Sequence, residues 1–168
     1  MEELAATRIG RTFNQYGQGP RAPLLRARLA GYLAAWSAAP MLLVGEAAGY
    51  RGARVSGIPF TSERQLTGRG PAEATATVMH RVLAELGLEE RVLLWNVVPT
   101  HPGTENSNRA PIAEEIEAAA PFLAELARDR RVVAVGRVAQ LRLGCPYVRH
   151  PSRGGATAFR TALVELLA

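Results

Sequence analysis

Four short apolar segments, separated by stretches of helical periodicity, are the feature that most constrains the fold. They are M-L-L-V at 41–44, R-V-L-L-W-N at 91–96, R-V-V-A-V-G at 131–136 and P-Y-V-R at 146–149. Segments of this length and composition are typical of strands buried on both faces. Helices are predicted around them at 21–36, 71–86, 111–128, 137–143 and 155–167. The alternation predicts a three-layer α/β/α fold with a central, mainly parallel four-stranded sheet.

Polar side chains stand where three of these strands end. In parallel sheets, ligands bind beyond the carboxyl ends of the strands. Glu46 follows the first apolar segment, Asn96 ends the second, and His150 follows the fourth. Each residue taken alone is common in turns and caps, but a parallel sheet would bring all three to one edge. We therefore expect a site that combines a carboxylate, an amide and an imidazole.

Composition excludes several kinds of chemistry. All 20 basic residues are arginine, so no lysine is present for a Schiff base or a phosphate-binding P-loop. Cys145 is the only cysteine, which excludes an internal disulfide and a multi-cysteine zinc or iron–sulfur site. The 168 residues suit a single domain over 1–168, and the net charge of +5 weakly favours an anionic partner. With no membrane-length apolar segment and no signal-peptide core, a cytoplasmic location is expected.

Five short motifs surround the strand-end residues. They are L-L-V-G-E-A-A-G at 42–49, S-G-I-P-F-T at 56–61, V-L-L-W-N-V-V-P at 92–99, N-R-A-P-I-A-E-E-I at 108–116 and H-P-S at 150–152. In this order they resemble the uracil-DNA glycosylase superfamily, over about residues 41–156. The resemblance implies an enzyme of base excision repair that flips a deaminated base, uracil or related, out of DNA and hydrolyses its N-glycosidic bond.

The resemblance also implies a role for each site residue. Glu46 would orient or deprotonate water, and His150 would hydrogen-bond the departing base. Asn96 would read the base edge, Phe60 would stack on the base, and the backbone of Ala47 would line the pocket. The expected DNA-binding residues are Arg54, Ser152, Arg153 and Gly154. Arg153 is the only long side chain after H-P-S that is available to fill the emptied base stack.

The chain departs from the family pattern at several positions. Ala48 replaces the proline of G-E-A-P-G, and Ala47 and Gly49 stand where the best-known uracil enzymes have an aspartate and a tyrosine. Members of the G-E-A-P-G type carry four cysteines for an iron–sulfur cluster. Here Thr100 and Ala119 stand near two of those positions, so neither a cluster nor any other metal or cofactor is expected. Without lysine the enzyme should be monofunctional and leave the abasic site uncut.

Other functions remain open on the sequence. The altered first motif is compatible with a non-catalytic module of the same fold that binds damaged or single-stranded DNA. An unrelated α/β enzyme acting on a small molecule is a third reading. Under the leading hypothesis the partner is DNA containing a damaged base, the protein is a nucleoid-associated monomer, and it contacts no membrane. The preferred base, and the choice between single and double strands, are not predicted.

Overall fold

A four-stranded parallel sheet forms the centre of the molecule. The structure, a computed structural model, describes residues 1–167. The strands are β1 (Met41–Ala47), β2 (Val92–Val98), β3 (Arg131–Val135) and β4 (Tyr147–Val148), and their order across the sheet is β2-β1-β3-β4. All three pairings are parallel. Helices flank this sheet, so the α/β/α fold predicted from the sequence is confirmed.

Eight helices accompany the strands in the described part of the chain. They are α1 (Glu2–Ala6), α2 (Ala22–Ala35), α3 (Ala53–Ser56), α4 (Glu63–Thr67), α5 (Ala74–Glu85), α6 (Ala113–Ala127), α7 (Arg137–Leu143) and α8 (Ala156–Leu167). None of them is long and apolar enough to cross a membrane. The sequence predicted α2, α7 and α8 to within about one residue but missed α1, α3 and α4.

Several predicted boundaries were wrong for local reasons. Two helices were predicted to begin at Pro71 and Pro111. They begin two or three residues later, at Ala74 and Ala113. The segment between β1 and α5, where no helix was predicted, contains α3 and α4. Helix α4 is held by a capping box in which Gln65 Oε1 accepts from the Ser62 backbone N–H at 2.8 Å. Helix α6 continues through Pro121, although a proline removes one hydrogen bond from a helix interior.

Strand β1 is longer than its apolar segment. Its ladder with β2 continues past Val44, with Gly45 opposite Asn96 and Ala47 opposite Val98. Glu46 therefore lies inside the strand's last residues and not beyond its end. The neighbouring strand supplies the backbone partners that an isolated G-E-A segment would lack.

The core is built on both faces of β1 and β2. Leu42, Leu43 and Val44 are fully buried, and all seven residues of β2 are buried. Because β2 is an edge strand, its backbone needs cover from elsewhere. Tyr32 of α2 supplies part of it, since its hydroxyl accepts the Leu94 backbone N–H at 2.7 Å. This packing fixes the strands whose ends form the site.

Candidate active site

A cavity of about 580 Å³ opens at the carboxyl ends of the strands. This volume lies in the range of small-ligand sites. Seven of the nine sequence-predicted site residues line it: Glu46, Ala47, Phe60, Asn96, His150, Ser152 and Arg153. Arg54 and Gly154 do not. The parallel sheet thus brings the carboxylate, the amide and the imidazole to one cavity.

The hydrogen bonds of His150 define which of its nitrogens is free to donate. The Ser152 backbone N–H donates to Nδ1 at 3.2 Å, and the Ser152 hydroxyl lies 2.8 Å from the same nitrogen. Because Nδ1 accepts, the proton of the neutral ring resides on Nε2. Burial lowers the pKa of His150, which favours this neutral form. The imidazole is therefore a neutral donor at the cavity wall.

Glu46 stands alone at the end of β1. Its side chain makes no hydrogen bond or ion pair with any group in residues 1–167. The residue is half-buried, and burial raises the pKa of its carboxyl group. A carboxylate with a raised pKa is a stronger base near neutral pH than an exposed glutamate.

Gly45 makes room for two neighbouring side chains. A Cβ atom at this position would lie 2.9 Å from Asn96 Oδ1 and 2.8 Å from Phe60 Cε2. The strand has no side chain here because the amide and the ring occupy the space. The buried Asn96 amide has no hydrogen-bond partner within the described residues, so no neighbour locks its orientation.

Phe60 combines packing with an unusual backbone. It is 8% exposed, and its φ of 51° lies in the left-handed region that non-glycine residues rarely adopt. Its ring lies 6.4 Å from the His150 ring, centroid to centroid. Behind it, Thr61 Oγ1 lies 3.0 Å from His80 Nε2, and burial lowers the pKa of His80. The strained turn places the ring at the cavity, where a flat ligand would meet it.

The loop between β2 and α6 forms another part of the cavity wall. The Tyr50 backbone N–H donates to Asn108 Oδ1 at 2.9 Å, which ties this loop to the segment after β1. The two ring nitrogens of the fully buried His101 lie 2.7 Å from the carbonyl oxygens of Ala48 and Thr104. No site role was predicted from the sequence for His101 or Asn108, although Asn108 lies in one of the motifs. Neither spacing nor periodicity signals such contacts between loops.

The chain is matched by the family model of the uracil DNA glycosylase superfamily over residues 32–164. The protein belongs to this superfamily. Its fold is similar to the crystal structure of WT Pedobacter heparinus SMUG2, with a TM-score of 0.65 over 94% of this chain and 86% of that one. The two sequences are 12% identical, so this likeness concerns the fold alone. No curated protein sequence matches the chain significantly.

The iron–sulfur cluster of some superfamily members does not fit this chain. Cys145 is the only cysteine and is half-buried, and one thiolate cannot hold a cluster. Thr100 is buried and its hydroxyl lies 2.6 Å from that of Thr12, while Ala119 is fully buried in the core. Within residues 1–167, no three His, Cys, Asp or Glu side chains are grouped to hold a metal ion.

The predicted DNA-binding residues differ in their surroundings. Ser152 and Arg153 line the cavity, and Arg153 and Gly154 form an exposed turn with φ values of 52° and 75°. Arg54 is held elsewhere: its guanidinium donates to Glu105 Oε1 at 3.0 Å and lies 5.0 Å from the centroid of the Phe13 ring. A DNA contact by Arg54 would have to share this ion pair, and it stays a prediction.

Arg109 adds a positive charge to the cavity wall, and it was not among the site residues predicted from the sequence. Both terminal nitrogens of its guanidinium donate hydrogen bonds to the fully buried carboxylate of Glu115, and Nη1 lies 2.8 Å from Oε2. This hydrogen bonding lowers the pKa of Glu115 despite its burial. The Arg11 backbone N–H also donates to Glu115, at 3.3 Å. The pair joins the N-terminal segment, α6 and the cavity wall.

Proposed function

We propose that the protein is a monofunctional DNA glycosylase that flips uracil or a related deaminated base out of DNA and hydrolyses its N-glycosidic bond. The observation that carries the proposal is the convergence of Glu46, Asn96 and His150 on one cavity at the strand ends. Membership of the uracil DNA glycosylase superfamily supports the reaction class. Its place would be the base-removal step of base excision repair.

His150 is proposed to stabilise the departing base. As the glycosidic bond breaks, the base becomes anion-like and the sugar cation-like. The neutral ring, with Nδ1 engaged by Ser152, offers its Nε2–H to the carbonyl oxygen on which negative charge develops. A donor positioned in this way is worth about 3–4 kcal/mol in the transition state.

Glu46 is proposed to act on the sugar side of the bond. Its carboxylate would accept a proton from the attacking water, or orient that water toward the sugar carbon. Its negative charge would also stabilise the cation-like sugar. The lack of a protein partner for Glu46 in residues 1–167 supports this role, because the carboxylate is left to interact with substrate and water.

Three residues are proposed to recognise the flipped base. Asn96 would hydrogen-bond its edge, Phe60 would stack on its face, and the backbone of Ala47 would lie alongside. Since no neighbour within 1–167 locks the Asn96 amide, it can present either its donor or its acceptor to a base. This freedom supports a substrate range that extends beyond uracil.

DNA outside the pocket is proposed to be held through its phosphates. Ser152, Arg153 and Gly154 lie next to His150 in the chain, and Arg54 lies in the segment after β1. Arginine contacts to phosphate would give binding that depends on salt and little on sequence. The lack of lysine supports a product that keeps its abasic site intact.

The test is base release from DNA. Single- and double-stranded oligonucleotides containing uracil, hypoxanthine or xanthine are incubated with the protein, and free base is measured by mass spectrometry. We expect release of at least one base, with strand breakage only after alkali. Salt-sensitive DNA binding without any base release would instead select the non-catalytic binding module. Binding of nucleosides but not of DNA would select a small-molecule enzyme.

A further inference from the structure

A second carboxyl group lines the same cavity. Glu73 immediately precedes α5 and belongs to the cavity wall together with Glu46 and His150. Aspartate, asparagine, serine and threonine commonly hydrogen-bond the free N–H groups of their own helix from this N-cap position. The Glu73 side chain makes no such bond. It is directed instead toward the segment that follows β1.

Two glycines create the space that the Glu73 carboxyl group occupies. A Cβ atom at Gly49 would lie 2.5 Å from Glu73 Oε1. A Cβ atom at Gly52 would overlap Oε2 and lie 2.9 Å from the carboxyl carbon. The segment G-E-A-A-G-Y-R-G, at 45–52, thus has no side chain at the two positions where the carboxyl group enters. With glycine at both positions, the carboxyl group can lie directly against this backbone.

The carboxyl group of Glu73 lacks a protein partner. No hydrogen bond or ion pair joins it to another group in residues 1–167. A partly buried carboxyl without partners carries a desolvation cost, and burial raises its pKa. A group left in this state at a cavity wall is available to a ligand.

The charged groups around Glu73 are few, and among those in the cavity wall only Arg109 forms an ion pair within residues 1–167. Those lining the same cavity are Glu46, Arg109, Arg137, His150 and Arg153. Arg109 is paired with Glu115. On the adjoining segment, Arg54 is paired with Glu105, and the Arg51 guanidinium lies 5.3 Å from the centroid of the Tyr50 ring.

We propose that Glu73 is a specificity-determining residue whose carboxyl group donates a hydrogen bond to a carbonyl oxygen of the base bound in the cavity. The inference rests on the proposed function and names how the site selects its substrate. Deamination converts an amino group of a base, which donates, into a carbonyl, which accepts. A protonated carboxyl group favours the deaminated base over its parent, whereas an ionised one reverses the preference.

Binding of free bases tests this role without requiring catalysis. Dissociation constants of free uracil and hypoxanthine are measured by calorimetry from pH 5 to pH 9 on the wild type, Glu73→Gln and Glu73→Ala. At pH 5 we expect Glu73→Ala to weaken binding about five- to tenfold, the effect of one hydrogen bond. The amide of Glu73→Gln keeps a donor and does not titrate, so its affinity should stay close to that of the wild type at pH 5.

The pH profile separates Glu73 from other titrating groups. Wild-type affinity should fall toward that of Glu73→Ala as pH rises through the raised pKa of Glu73, and this step should vanish in Glu73→Gln. Glu46 and His150 titrate in all variants, so their contributions to the pH dependence of base affinity cancel when the variants are compared. Glu117→Gln, an exposed change on α6, is the matched control and should follow the wild type.

A glycine variant moves the carboxyl group without removing it. In Gly49→Ala the new methyl group displaces the flexible end of Glu73, so base affinity should drop as in Glu73→Ala. Adding Gly49→Ala to Glu73→Ala should cause no further loss, because the two changes act through the same contact. An additive loss would overturn the proposed contact.

Other outcomes also decide the question. The proposal fails if neither base binds the wild type, if Glu73→Ala binds as the wild type does, or if Glu73→Gln loses as much affinity as Glu73→Ala. Base release from DNA is scored separately. A protein that binds bases through Glu73 but releases none from DNA would refute the glycosylase proposal alone. Base release with no effect of Glu73 on binding would refute the Glu73 proposal alone.

Discussion

At the scale of single residues, the bond from the Ser152 N–H to His150 Nδ1 leaves one donor facing the cavity. Replacing His150 with alanine removes that donor and is expected to lower kcat for base release about 100-fold or more. DNA affinity should change little, since the role proposed for the ring concerns the leaving base. His150→Asn retains an N–H donor and should recover part of the rate. Single-turnover rates with each variant check this, and an unchanged rate in His150→Ala would contradict the assigned role.

The pH dependence of base release should follow Glu46. In its proposed role the carboxylate acts in its ionised form, so kcat should fall as pH falls through the pKa of Glu46. Burial raises that pKa above the ordinary value of 4.5, so the acid limb should lie at higher pH than that of an exposed glutamate. The pKa of His150 is lowered from 6.5, so its neutral form persists to lower pH than that of an exposed histidine.

Glu46→Gln separates catalysis from stability. It should lower kcat about 100-fold or more and abolish the acid limb. Because the pKa of Glu46 is raised on folding, its ionisation opposes folding, and the stability it contributes is lost as pH rises. The variant should therefore unfold at a urea concentration no lower than the wild type at pH 8. A variant that is both slow and clearly less stable would point to a structural role.

At the scale of elements, β1 leaves room for two cavity-lining side chains because Gly45 has no side chain of its own. Gly45→Ala would place a methyl group against Phe60 and Asn96, and should lower the free energy of unfolding by about 1–3 kcal/mol. It should also weaken base binding, because both side chains line the cavity. Urea unfolding and base-binding titrations measure the two effects.

Gly31→Ala provides the matched control. Gly31 is exposed on α2, and a Cβ atom there would meet nothing within 4 Å. Replacing a helical glycine in open space should stabilise the protein by about 1 kcal/mol. Equal effects of the two substitutions would show that Gly45 has no special packing role.

The sequence predicted those elements whose burial leaves a pattern. Strands buried on both faces appear as continuous apolar runs, which located all four strands and the α/β/α fold. Residues 45–47 were not predicted to be strand, because their strand conformation depends on pairing with β2 and not on their own composition. Helices α3 and α4 are too short for periodicity to be visible, and each ends at a glycine with positive φ.

At the scale of the whole molecule, topology explains which site residues the sequence predicted. Glu46 and Asn96 lie within the last three residues of β1 and β2, and His150 follows β4, so a parallel sheet alone is enough to bring them to one edge. Glu73 precedes a helix, and its approach depends on empty positions at Gly49 and Gly52. Arg54 was expected at DNA from its charge, but its ion pair with Glu105 depends on how two loops meet. Contacts of this kind are set by tertiary packing.

Part of the positive charge lies at or beside the cavity mouth, where three arginines are found. Arg137 and Arg153 line the cavity, and the exposed Arg149 directly precedes His150. None of the three forms an ion pair with any group in residues 1–167. Unpaired arginines beside the pocket are suited to phosphates on either side of a flipped nucleotide.

Salt dependence of DNA binding tests that arrangement. Each phosphate contact contributes about 0.9 to the slope of log K against log salt concentration on duplex DNA. Arg153→Ala should therefore reduce the magnitude of the slope by about 0.9 and weaken binding to all sequences alike. Arg91→Ala is the matched control, because Arg91 is an exposed arginine just before β2, at the end of the sheet opposite the cavity. Fluorescence anisotropy at several salt concentrations measures both variants. Equal slopes for Arg153→Ala and Arg91→Ala would show that the charge of the whole molecule, and not the cavity mouth, attracts DNA.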